Sequence, residues 1–131
     1  MEYLLRGKIP NGKKWFSVHL FEDNNLIEIW ANIVAPSSVG MWSGLTTTGE
    51  NPARVFEGDI IKSGDHIGIV RLGRYKQVPG GKENIGFYVE FISGDDEASV
   101  RNDLIYWIEQ AGARVIGNTT DNPELEVNDN G

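Results

Sequence analysis

Short runs of β-forming residues, each cut off by a turn signal, constrain this chain more than any other feature. Glu2 to Ile9 and Lys13 to Phe21 flank Pro10-Asn11-Gly12. Asn-Gly readily supplies the positive φ angles of a tight turn, so the two runs predict a hairpin. Leu26 to Val34 follows the polar turn Glu22-Asp23-Asn24-Asn25 and reads as a third strand that ends before Pro36. Between 35 and 53 the density of Gly, Ser, Thr, Asn and Pro predicts little regular structure apart from a short piece at Val39 to Trp42. Val55 to Lys62, Ile67 to Leu72, Phe87 to Ile92 and Ala113 to Gly117 are the remaining strand candidates. Such spacing predicts a mainly β fold, a small barrel or sandwich.

One segment has a different period. From Asp96 to Ala111, Val100, Leu104, Trp107, Ile108 and Ala111 share a helical face, while Arg101, Asp103 and Glu109 point away from it. Ser93, Asp95, Asp96 and Glu97 place capping and acidic groups at its start, and Gly112 stands where a C-terminal cap is wanted. The reading is one domain over 1–131, divisible into an N-terminal β part (1–45) and a C-terminal β part (53–125) carrying the helix 96–111, with a flexible acidic tail at 126–131.

There are no cysteines, which removes disulfides, thiolate metal sites and cysteine nucleophiles. No apolar run approaches the roughly 20 residues of a membrane-crossing helix and no leader pattern opens the chain, so the expectation is a cytoplasmic protein. The net charge of −7 is unevenly distributed: residues 1–90 carry 10 basic and 10 acidic side chains, residues 91–131 carry 2 and 9. The acidity belongs to the helix and tail, and it opposes duplex DNA as a partner.

No residue pattern points to catalysis or to a cofactor. Asp65 and His66 are neighbours on a strand, so their side chains alternate between faces, and His19 stands alone. Glu57 and Asp59 flank Gly58 and offer a carboxylate pair for an enzyme or a metal ion. The simpler account is a tight bend at Gly58, with the aspartate accepting backbone N–H groups. No phosphate-binding glycine loop and no serine-nucleophile setting occurs. Trp15, Trp30, Trp42 and Trp107 read as core and cross-strand packing. Arg71, Arg74, Tyr75 and Lys76 form the one candidate partner surface: cations interleaved with an aromatic suit single-stranded nucleic acid or an acidic partner, or else make a solvated strand edge.

Several segments in order resemble the YopX family, small proteins encoded mainly by bacteriophages and prophages. Arg6-Gly7-Lys8, Asn11-Gly12 and Trp15 resemble its opening pattern, and Val39-Gly40 with Ser43-Gly44-Leu45-Thr46 its second segment. Val55-Phe56-Glu57-Gly58-Asp59-Ile60-Ile61-Lys62 is similar to its most characteristic string. Val115-Ile116-Gly117-Asn118 and Asp121-Asn122-Pro123-Glu124-Leu125 are similar to its close. Ser43 and Thr48 depart from the pattern, which uses Thr and Asp there. The resemblance implies a mostly β fold related to SH3-like barrels with a helix near the C-terminus, self-association into a homo-oligomer, and residence in a bacterial host cell. It implies no activity, and it marks Gly44, Leu45, Glu57, Gly58, Asp59, Gly117, Asn118, Asn122 and Pro123 as structural signature positions.

Overall fold

The computed structural model of the chain describes residues 3–12, 14–20, 24–76, 80–94 and 101–126. Its first hairpin follows from the Asn-Gly turn. β1 (Leu4–Lys8) pairs antiparallel with β2 (Trp15–His19), Lys8 opposite Trp15, and Asn11 takes a φ of 63° in the loop. β3 (Gly40–Thr46) pairs with β1 and with β4 (Arg54–Phe56), giving a four-stranded sheet in the order β2-β1-β3-β4. The short piece expected at 39–42 therefore continues to Thr46.

The run expected as one strand from Val55 to Lys62 is two. Glu57 and Gly58 form a turn, with Gly58 at a φ of +92°, so β4 stays in the first sheet while β5 (Asp59–Ser63) enters a second. There β6 (His66–Lys76), β7 (Glu83–Ser93) and β8 (Arg114–Asn118) complete the order β7-β6-β5-β8, every pair antiparallel. The fold is mainly β, as expected, but it is two open sheets rather than a closed barrel.

The strand expected at Leu26 to Val34 is the helix α1 (Asn24–Ile33). Strict alternation would have put Glu28, Trp30, Asn32 and Val34 on one face, mixing polar with apolar. Helical winding instead gathers Ile27, Trp30 and Val34, which pack with Leu5, Phe16 and Val18 of the β1–β2 hairpin. The Trp30 indole N–H donates to the Phe16 carbonyl at 2.7 Å.

The C-terminal helix also differs from its expected bounds. Helical conformation covers 104–110, with Tyr106–Gln110 wound as a π-helix; Arg101 and Asn102 are not helical, and 95–100 lie outside the described residues. Asp103, expected to face solvent, is buried because its backbone bridges to Tyr88 on β7, and its carboxylate accepts from Arg101 Nε at 3.0 Å. Leu104, Trp107 and Ile108 do face inward, and Gly112 has the left-handed φ of 64° of a C-terminal cap. Residues 127–131 of the expected tail lie outside the described residues.

Ile60 and Ile61 on β5 and Ile69 and Val70 on β6 are buried in adjacent pairs, so these stretches are apolar on both faces because both faces are covered there. Val55, Ile61, Val70, Val89, Leu104, Trp107, Ile108 and Ala113 form the largest core on one side, and Ile60, Ile69 and Ile92 a smaller one on the other. Full burial of each large aliphatic side chain stabilises the fold by about 1.5–3 kcal/mol. The helical reading of α1 predicts that Trp30→Ala lowers stability by about 3–5 kcal/mol, whereas Glu28→Ala, at an exposed position of the same helix, changes it by less than about 0.5 kcal/mol. Urea unfolding of the two variants checks this; equal losses would contradict it.

Candidate functional site

Residues far apart in the chain meet where the two sheets join. Arg6 on β1 reaches across to Asp59 at the start of β5, Nη2 to Oδ1 at 2.5 Å. Its guanidinium lies between two rings, 4.7 Å from the Trp15 centroid and 4.5 Å from that of Phe56. Asp59 is 1 % exposed, and its second oxygen accepts the Phe56 N–H at 2.7 Å. Burial raises the Asp59 carboxyl above its usual range, and the Arg6 charge and the two hydrogen bonds offset only part of that rise. Arg6 Nε is buried with no hydrogen-bond partner.

A second tie runs beside the first. After β8, Asn118 Oδ1 accepts the N–H groups of Thr120 and Asp121, while Asn122 Oδ1 accepts the Asn118 N–H, and these bonds shape a compact loop. That loop presents Asp121 to the first hairpin, where it accepts from Lys8 Nζ and from the Trp15 indole N–H at 3.0 Å. The Lys8 hydrogen bond is the main reason its carboxyl is held below the ordinary aspartate value. Close backbone approaches complete the joint. A Cβ on Gly117 would stand 2.5 Å from Asn122 Oδ1, and one on Gly40 would stand 2.4 Å from the Glu57 carbonyl oxygen.

The sequence-marked positions thus divide by role. Gly58, Asp59, Gly117, Asn118 and Asn122 build the joint, together with Arg6, Lys8 and Trp15. Pro123 opens the 3-10 turn Pro123–Glu126 that follows it. Gly44, at a φ of +86°, lies where the β3–β4 register shifts, and Leu45 packs on the main core. Glu57 and Asp59, the candidate carboxylate pair, have different surroundings: Asp59 is held by Arg6, whereas the half-buried Glu57 carboxylate has no partner among the described residues. It lines a polar pocket of about 120 Å³ with Arg6, Trp15, Ser37, Arg71 and Thr119.

The strip Arg71, Arg74, Tyr75 and Lys76 runs along β6, and Arg74, Tyr75 and Lys76 line one open pocket together with Tyr88 and Asn102. Strand alternation sets Arg71 and Tyr75 on one face of β6 and Arg74 and Lys76 on the other. Arg71 donates to Glu90 at 2.8 Å, Arg74 lies 3.6 Å from Glu83, and the Tyr75 ring stacks on Tyr88 with centroids 5.3 Å apart. The two tyrosines close over the cross-strand pair Gly73 and Gly86, where neither strand offers a side chain. The histidines stay apart, with the His66 ring 6.0 Å from Phe91 and 6.5 Å from Trp107. Among the described residues no group of His, Asp and Glu has the arrangement of a metal site.

One apolar surface escaped the sequence reading, because the strand assignment hid it. Leu26, Ile29 and Ile33 are 38 %, 57 % and 40 % exposed and form a second stripe along α1, beside the one that packs on the hairpin. Helical spacing at 26, 29 and 33 was the available signal.

Two outcomes test the joint. Gly58→Ala forces a side chain into the left-handed region and is expected to cost about 1 kcal/mol or more, read as a lower unfolding midpoint. Asp121 binds its proton less readily in the folded chain than in the unfolded one, so its contribution is present above pH 3.8 and is lost as pH falls below that value. The Tm of Asp121→Asn should therefore fall less on acidification than that of the parent; parallel curves would contradict the tie to Lys8.

Comparison of the chain with models of protein families, with curated proteins and with solved structures finds no match, so its function is argued from the chemistry of these residues.

Proposed function

We propose that this chain is a YopX-like, non-enzymatic protein that acts by binding and assembles with further copies of itself through the outer stripe of α1. The observation that carries the reading is the stripe Leu26, Ile29, Ile33. Its spacings of three and four residues are each close to one helical turn, so an antiparallel two-fold pairing sets Ile29 against its own copy and Leu26 against Ile33 of the other chain. Glu28 is the helix's one charged residue and lies off the stripe, so the pairing brings no charges together. The use of Asp59 and Asp121 in holding the sheets together also favours binding over catalysis, since each carboxylate is engaged by a cation of the first hairpin. In this reading the β5–β8 sheet is the part related to SH3-like barrels.

Light scattering on a tag-free sample at high micromolar concentration is expected to give a dimer or larger species. Ile29→Glu, whose side chain stands outside the core, is expected to give a monomer with an unchanged circular dichroism spectrum. A monomeric parent would overturn the proposal.

A further inference from the structure

The pocket at the joint between the sheets lies apart from the α1 stripe, and its unengaged polar groups have a consistent character. Besides the Glu57 carboxylate, the hydroxyls of Ser37, Thr119 and Thr120 line it and make no hydrogen bond among the described residues. The cations on its wall are already neutralised: Arg6 by Asp59, and Arg71 by Glu90, with Glu126 at 3.8 Å. A free anion would meet the Glu57 charge with no unpaired cation to offset it. A free cation would meet two guanidinium groups. What fits is a neutral molecule rich in groups that both donate and accept, presented to one carboxylate acceptor, two guanidinium donors and three hydroxyls. Trp15 and the 39 % exposed Val39 add an apolar wall for the carbon face of such a ligand. At about 120 Å³ the pocket is below the roughly 300–1,000 Å³ usual for drug-sized ligands, which limits the occupant to about one small ring.

We propose that this pocket binds a neutral polyhydroxylated ligand, a single sugar residue, with two neighbouring hydroxyls donating to Glu57 and with Arg6, Arg71 and Thr119 hydrogen-bonding its oxygens. Glu57 is the discriminating residue. A carboxylate accepts two hydroxyl hydrogens at once, whereas an amide offers one acceptor and two competing donors. A ligand lacking the hydroxyl pair leaves the carboxylate unpaired in a half-enclosed site, and such losses cost more than a missing apolar contact. Because the pocket is formed by both sheets, occupancy also ties them together and raises the stability of the whole chain by mass action.

The test follows the Trp15 indole N–H, which donates to Asp121 beside the pocket, by heteronuclear NMR. The parent is titrated with glucose, galactose and N-acetylglucosamine, and separately with inorganic phosphate and methylammonium. Saturable movement of that resonance with at least one neutral sugar, weakened tenfold or more in Glu57→Gln and in Thr119→Val but not in Arg74→Ala, is the expected result. Unchanged Tm values in the two pocket variants show that the fold survives them. No saturable shift with any of the sugars, binding of phosphate or methylammonium in their place, or sugar binding indifferent to Glu57→Gln and Thr119→Val would overturn the proposal. The oligomeric state plays no part in this readout, so its outcome is independent of the assembly through α1.

Discussion

The ion pair between Arg6 and Asp59 is the constraint on which the joint of the two sheets depends. Asp59 sits at the first position of β5, directly after the turn that carries the chain out of the first sheet, and it is among the most completely buried side chains of the protein. A carboxylate in that position is costly unless its charge and both oxygens are engaged. Arg6 supplies the charge and one bond, the Phe56 N–H the other. Arg6 is in turn held between the Trp15 and Phe56 rings, so the pair fixes where the first hairpin stands against β4 and β5.

The neighbouring features follow from that placement. With the hairpin docked, Lys8 and Trp15 come within reach of Asp121, whose loop is shaped by Asn118 and Asn122 and fits only because Gly117 has no side chain. The Gly58 N–H donates to the Val70 carbonyl and its own carbonyl accepts from Thr119, so the same turn is stitched to β6 and to the loop after β8. The polar pocket is the space these ties leave open between them. Its polarity is a by-product of building a joint from charged and hydroxylated residues, and its unused groups are those that none of the ties engages.

Local features were legible in the sequence and their meeting was not. The Asn11-Gly12 hairpin, the bend at Gly58 and the cap at Gly112 are dictated by backbone preferences of single residues, and each is where those residues put it. The β-branched Ile27, Ile29, Ile33 and Val34 favour a strand by propensity, and in the region of α1 only the placement of Glu28 and Asn32 argues for winding. The Asp96 to Ala111 periodicity carries the inward faces of Leu104, Trp107 and Ile108 but not that of Asp103, whose burial comes from a pairing with Tyr88 that no local pattern announces. Nothing local ties Arg6 to a residue 53 positions away.

The most direct measurement is a double-mutant cycle on Arg6 and Asp59, using Arg6→Met, Asp59→Leu and the pair together, with stability from urea unfolding. Breaking a buried pair from one side leaves an uncompensated charge and typically costs about 3–5 kcal/mol, while replacing both partners with apolar side chains is far milder. The account predicts a large loss in Arg6→Met, where Asp59 is left buried and unpaired, and recovery of most of it in the double variant. The two losses adding without coupling would contradict the claim that this pair holds the sheets together.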